Sequence, residues 1–270
     1  MAERDTQFIG PVPEIYDRFM VPLIFQPYAE DMAARVAALR PGSVLETAAG
    51  SGAVTRVLAP LLAAEARYVA SDLNPPMLER ARAMQPQDAR MEWSALDAQH
   101  LNFADESFDV VFCQFGAMFF PHRRKAYAEA LRVLKPGGTF LFNAWDSLAQ
   151  NEVPATVWET ILASYPDDPP DFFTRIPHGY HDEGLIRADL AEAGFGDVTV
   201  ETVTRHSHAP SARDAAVALC MGTPIRMEIL ARSPDGLEEM TDRAEAALRA
   251  RFGDGPIAGR IQALVVTARA

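Results

Sequence analysis

Residues 44–55 read VLETAAGSGAVT. An apolar run enters six small residues, Ala48, Ala49, Gly50, Ser51, Gly52 and Ala53, and passes directly into a helical pattern. With Cβ atoms absent or small, such a strand–turn–helix lets a ligand approach the backbone. The helix start adds N–H groups without intrahelical partners and the positive end of the helix dipole. Asp72 comes 20 residues after Gly52 and closes a second apolar run at 68–71. An ionised carboxylate only accepts hydrogen bonds, so at that place it can take both hydroxyls of a ribose.

Two ligand classes use this arrangement. A nicotinamide or flavin dinucleotide rests its pyrophosphate on the helix start and calls for G-x-G-x-x-G/A, of which Ala48-x-Gly50-x-x-Ala53 is a degraded version. S-adenosylmethionine has no phosphate and carries a sulfonium and an ammonium. Glu46, just ahead of the turn, separates the two, because its charge repels a pyrophosphate and attracts an ammonium.

Outward from the turn, residues 43–145 alternate short apolar runs with helical spacing, the pattern of a parallel α/β sheet. Strands are predicted at 43–47, 68–71, 90–94, 108–114 and 139–145, and helices at 53–64, 75–84 and 122–134. Lys135-Pro136-Gly137-Gly138 stops the last helix before the fifth strand. Residues 146–180 are rich in proline and acid, with one helix near 153–164. A helix at 183–193 closed by Gly194, a strand at 197–206, helices over 211–252 and a strand at 261–268 complete the pattern.

The 270 residues are 49% hydrophobic and 23% charged, an ordinary folded composition. With 25 basic and 37 acidic side chains the net charge is −12, which repels phosphate backbones, so no nucleic-acid partner is expected. Cys113 and Cys220 cannot build a disulfide framework or a thiolate zinc site and read as buried small hydrophobes. The N-terminal charges and prolines do not suit a signal peptide, and no window approaches the roughly 20 apolar residues of a membrane span. A cytoplasmic location without a membrane span is therefore expected.

The chain resembles the class I S-adenosylmethionine-dependent methyltransferases, especially the small-molecule group related to ubiquinone/menaquinone biosynthesis. VLETAAGSG (44–52) is similar to that family's first motif, with Ala48 in place of its first glycine and so a slightly narrower backbone approach. SDLNPPMLERAR (71–82), SALDAQHLNFADESFDVVFCQFGAMFF (94–120) and LRVLKPGGTFLF (131–142) resemble the next three motifs, in order. The resemblance covers about residues 16–145. It implies a Rossmann-like α/β sheet of seven strands, mostly parallel with the last antiparallel, in a single domain over 1–270. It also implies an N-terminal helical cover at 1–40 and substrate-cap insertions at 146–182 and 211–258. It sets Gly50, Gly52 and Ala48 under the methionine portion, with Glu46 near its ammonium and Asp72 on the ribose. Leu73 and Met77 flank the adenine, Asp97 and Ala98 bind its edge, and Gln114 lies near the transferring methyl. Tyr16 closes over the methionine end, or else joins Phe19 and Phe25 in a hydrophobic staple.

Ligands of open α/β sheets bind beyond the carboxyl ends of the strands, which makes Asn143 and Trp145 candidates for acceptor contact. Met221 sits in an apolar stretch, 213–232, that reads either as helical core or as a lid broken at Met221-Gly222-Thr223-Pro224. No catalytic residue is assigned; His178, Tyr180 and His181 are the weak candidates for a base. His-x-x-His at 178–181 and His-x-His at 206–208 lack a cysteine or carboxylate partner at ligand spacing, so no metal is expected. The expected activity is methyl transfer from S-adenosylmethionine to O, N or C of a small organic acceptor, achieved mainly by proximity and orientation. The alternatives are a non-catalytic S-adenosylmethionine-binding protein and an NAD(P)-dependent oxidoreductase.

Overall fold

The computed structural model describes Phe8 and residues 10–270. Its seven strands are β1 Ser43–Glu46, β2 Arg67–Asp72, β3 Met91–Ala95, β4 Phe108–Gln114, β5 Leu134–Trp145, β6 Asp197–His206 and β7 Arg260–Arg269. They form one sheet in the order β3-β2-β1-β4-β5-β7-β6. β1, β2, β3, β4 and β5 run parallel, and β7 pairs with β5 antiparallel. β1 and β4 are apolar throughout their middle because both faces of a central parallel strand are covered. The strand order reverses between β1 and β4. In an open α/β sheet that reversal opens a crevice at the carboxyl ends of the two strands.

The helices are α1 Val12–Ile15, which continues into a π-helical stretch Tyr16–Phe25, then α2 Gln26–Ala38, α3 Ala53–Leu58, α4 Pro75–Met84 and α5 Arg123–Val133. After β5 come α6 Glu152–Ser164, α7 Phe172–Arg175, α8 Glu183–Glu192, α9 Ala212–Met221, α10 Ile225–Arg232 and α11 Leu237–Phe252. α3 is shorter than the predicted 53–64. Pro60 lacks an N–H, so the ladder gives way to a 3-10 turn, Ala59–Leu61, and the Arg90 guanidinium donates to the carbonyls of Ala59, Leu62 and Ala63. β5 begins five residues before the predicted 139. Leu134 pairs with Phe108, the register then shifts, and Thr139 resumes opposite Val110.

The chain divides into two compact units. The sheet unit holds Tyr28–Trp145, Tyr180–Val203 and Ala263–Ala270, around a core that includes Leu45, Val69, Phe112, Tyr127, Phe140 and Phe142. Residues 28–40 of the expected N-terminal cover belong to this unit, where Tyr28 is buried and donates its hydroxyl to Val203 O at 2.9 Å. The helical unit holds the residues up to Pro27, Asp146–Gly179 and Thr204–Gln262. There α11 packs on α9 and α6, and Ala244, Leu248, Leu219 and Ile161 of these helices are buried. Among the described residues no helix is long and apolar enough to cross a membrane.

Candidate functional site

The turn after β1 winds through the left-handed region three times, at Ala48 (φ +53°), Gly50 (+57°) and Gly52 (+83°). It is pinned by Thr47 N to Phe112 O and Ala49 N to Ser71 O, both 2.9 Å. Gly52 is needed for packing as well as for its φ, since a Cβ there would lie 3.0 Å from Ala81 Cβ on α4. Ala48 takes a conformation that costs a Cβ-bearing residue about 1–2 kcal/mol. A Cβ added to Gly116 would lie 2.4 Å from the Ala48 methyl, so that methyl fills the space Gly116 leaves at the β4 end. The Ala48 methyl, expected to narrow the ligand approach, packs against Gly116 in the turn after β4. Within the turn Ser51 Oγ is buried and makes no hydrogen bond, a vacancy that sequence reasoning missed.

Two carboxylates flank the turn. Asp72 Oδ2 accepts from Gly50 N at 2.8 Å, and its Oδ1 accepts from Asn74 N at 2.7 Å and Asn74 Nδ2 at 3.3 Å. Burial pushes the Asp72 carboxyl above its usual range, against the pull of these donors. Glu46 is 1% exposed, and its Oε2 accepts from Thr55 Oγ1 at 2.5 Å and Tyr68 Oη at 2.6 Å. Its burial outweighs both hydrogen bonds and raises the carboxyl to about 7. Thr55 and Tyr68 were not foreseen; a tyrosine inside a buried parallel strand was the available signal, because its hydroxyl needs a partner there.

On the β2 side, Met77 is buried with its Cε 3.6 Å from where a Gly50 Cβ would sit, whereas Leu73 is 55% exposed. Leu96 N donates to Asp72 O at 3.0 Å and brings the following loop to the β2 end. Asp97 Oδ1 accepts from Gln99 N and Gln99 Nε2 at 2.9 and 3.0 Å, so the carboxylate shapes its own turn. The Ala98 N–H makes no hydrogen bond among the described residues.

On the β5 side, Gln114 ends β4 with its Oε1 buried and without a partner. Asn143, opposite it in register, is buried and accepts from Phe115 N at 2.8 Å. Phe115 (φ +51°) stacks on Trp145 at 3.8 Å and 9°, and Tyr28 meets both rings edge-on at 5.3 Å. Asn143 Oδ1 and the Trp145 ring, expected to touch the acceptor, help to hold this turn.

Other sequence candidates have different surroundings. Tyr180 is corrected as a base: it is 1% exposed, accepts from Tyr127 Oη at 3.2 Å and donates to Asp189 Oδ2 at 3.0 Å. Burial pushes its hydroxyl well up, and Arg123 lies 4.1 Å from its ring centre. Burial would also raise Asp189, but Arg124, Arg123 and Tyr180 together hold it below the usual carboxylate range. His181 is exposed. His178, in the helical unit, is buried with Nδ1 2.8 Å from Asp146 O. In the same unit Tyr16 stacks on Phe25 at 5.1 Å and meets Phe8 edge-on at 5.8 Å, and Met221 ends α9. The chain breaks between α9 and α10 at Gly222–Pro224, as the sequence predicts. Cys113 and Cys220 are buried, and burial pushes each thiol up to about 12, as inert hydrophobes require.

Comparison with known proteins agrees with this geometry. Residues 45–142 match the family model described as a methyltransferase domain. The chain is 32% identical over 180 residues to the ubiquinone/menaquinone biosynthesis C-methyltransferase UbiE of Ectopseudomonas mendocina, covering 62% of this chain and 70% of that protein. It is 43% identical over 95 residues to a demethylmenaquinone methyltransferase of Clavibacter sepedonicus, covering 35% and 38%. In fold it is similar to phosphoethanolamine N-methyltransferase 2 of Haemonchus contortus, solved in complex with S-adenosyl-L-methionine, with a TM-score of 0.61, 17% identity, and 100% of this chain and 60% of that one covered. The sheet order, the left-handed glycine turn and these similarities together establish that the chain belongs to the class I S-adenosylmethionine-dependent methyltransferases, in the group of the ubiquinone/menaquinone-biosynthesis enzymes.

Proposed function

We propose that this methyltransferase holds its cofactor across the carboxyl ends of β1, β2 and β4 and methylates O, N or C of a small organic acceptor. One observation carries the assignment. The Gly50 N–H draws Asp72 onto the glycine turn, while Ser51 Oγ and Gln114 Oε1, both buried around that turn, lack partners. Unpaired buried polar atoms cost about 1–3 kcal/mol each and persist where a ligand satisfies them. The residues fit S-adenosylmethionine. Asp72 retains acceptor capacity for ribose hydroxyls, the more so if the 3.3 Å contact to Asn74 Nδ2 yields. The Ala98 N–H is available to a ring nitrogen, with Met77 and Leu73 on either side of the base. Glu46 is poised near neutrality and ionises fully once a cation lies near it.

When bound, S-adenosylmethionine supplies a methyl group already activated by its sulfonium. The chain's own part is to hold the acceptor in line and exclude water, and such positioning alone is worth up to about 7–11 kcal/mol. A base is required only where the acceptor must lose a proton. Glu46 and the incomplete glycine pattern disfavour the nicotinamide reading. The net charge of −12 favours a small acceptor over a nucleic acid. The C-methyltransferase name of the Ectopseudomonas relative makes carbon the first acceptor atom to assay.

Thermal unfolding with S-adenosylmethionine, S-adenosylhomocysteine and NADH tests the assignment. A ligand at 100 times its Kd stabilises by about 2.7 kcal/mol, a shift of roughly 5–10 °C at this size. The adenosyl compounds are expected to give that shift in the native chain and to lose most of it in Asp72→Ala. A shift with NADH alone overturns the proposal.

A further inference from the structure

Residues 96–107 join β3 to β4 without forming a helix or strand, and they carry Asp97 and Ala98, the expected contacts for the edge of the adenine. Loops of this kind are ordinarily the mobile part of a domain. This one is tied at its start to the ribose side of the site, where Leu96 N donates to Asp72 O at 3.0 Å. Gln99 N and Gln99 Nε2 turn the Asp97 carboxylate, yet its side chain stays 38% exposed and open to a ligand.

Further along, the loop is gripped from α5. Glu129 and Arg132 share one face of that helix, and the guanidinium meets the carboxylate twice, Nε to Oε1 and Nη2 to Oε2, each at 2.8 Å. Glu129 Oε2 also accepts from Leu101 N, and Arg132 Nη2 donates to Leu101 O, both at 2.8 Å. One ion pair thus takes both backbone groups of a buried loop residue, as a neighbouring strand would. Arg132 Nη1 continues to Phe103 O and Asp105 Oδ1, again at 2.8 Å. The hydrogen bond from Arg132 holds the Glu129 carboxyl below its ordinary range, against its burial. A partly exposed pair of this kind contributes little stability by itself. Its consequence is geometric, because it fixes the loop against α5. We propose that Arg132 and Glu129 are positioning residues for adenine: through Leu101 they hold Asp97 and Ala98 where a carboxylate and an N–H read the base, so that the chain distinguishes a 6-aminopurine cofactor from a 6-oxopurine one. This rests on the cofactor position given above. Adenine offers Asp97 an amino donor and Ala98 N a ring acceptor, and a 6-oxopurine reverses both.

S-adenosylhomocysteine and S-inosylhomocysteine differ only at that edge. Titration calorimetry on the full chain is expected to show the adenosyl compound binding at least about tenfold tighter, the lower bound for one hydrogen bond to a charged group. Arg132→Met is expected to cut that preference to about twofold or less by weakening the adenosyl compound, with the inosyl compound unchanged within about twofold. Arg132→Lys keeps the charge without the planar fork and is expected to lose at least about threefold of the preference; it decides the matter if Arg132→Met does not fold. A preference left at its native value in the folded variants, whatever happens to Tm, would make the ion pair a purely structural one and overturn the proposal. Equal weakening of both compounds would do the same. A native chain that binds both alike would overturn the adenine-edge reading beneath the proposal, and failure to bind either would overturn the cofactor site itself.

Discussion

Glu46 shows how much one buried side chain can decide. In the unfolded chain its carboxyl titrates near 4.5, and in the fold near 7, because burial outweighs the hydrogen bonds from Thr55 and Tyr68. Between those values the folded protein holds a proton that the unfolded chain has released. Stability therefore falls as pH rises through that window, and it stays lowered above it. The difference amounts to about 3 kcal/mol. A glutamine can still accept from both hydroxyls without a charge to bury, so Glu46→Gln is expected to be more stable than the native chain at pH 8 and to lose that advantage at pH 5. Urea unfolding at the two values measures it. An advantage that does not change with pH would mean that Glu46 has the same charge in both states. The charge that costs stability is the one an ammonium ligand would repay, so the same substitution should weaken S-adenosylmethionine at pH 8 more than at pH 6.

Strands and turns share space here in ways that single residues do not reveal. The turn after β1 and the turn after β4 meet at Ala48 and Gly116, where one methyl fits and two do not. Gly116→Ala should destabilise by about 1–3 kcal/mol through overpacking against the Ala48 methyl and Cys113 Sγ. Ala48→Gly should be close to neutral alone, because relief of the left-handed conformation offsets the greater freedom of the unfolded chain. Combined, the two should recover at least about 0.5 kcal/mol, since both methyls compete for one space. Strictly additive free energies in denaturant titrations would show that the two turns do not touch. The elements themselves were legible: 75–84, 108–114 and 197–206 form where the apolar spacing puts them. Misplaced boundaries have local causes, such as the missing N–H of Pro60 and the register shift that lets Leu134 join β5 before the Lys135–Gly138 bulge.

Across the whole molecule the acid excess is the dominant physical fact. A net charge of −12 repels itself, and salt screens that repulsion over a Debye length of about 10 Å at 0.1 M. Raising sodium chloride from 10 to 300 mM is expected to raise Tm. A fall would mean that ion pairs such as Arg213 with Glu238 and Asp242 outweigh the repulsion. By itself the sequence determined the sheet class, the glycine turn, Asp72 and the cofactor family. These depend on spacing, small residues and charge acting through the local backbone. Only the tertiary structure decided which polar groups are already spent. Asn143 meets Phe115 across 28 residues, Tyr180 meets Tyr127 across 53, and Glu46 meets Tyr68 across 22. Such partnerships follow from strand register and helix docking, which pattern alone does not encode. They leave Gln114 Oε1 and Ser51 Oγ as buried atoms around the turn without a hydrogen-bond partner among the described residues.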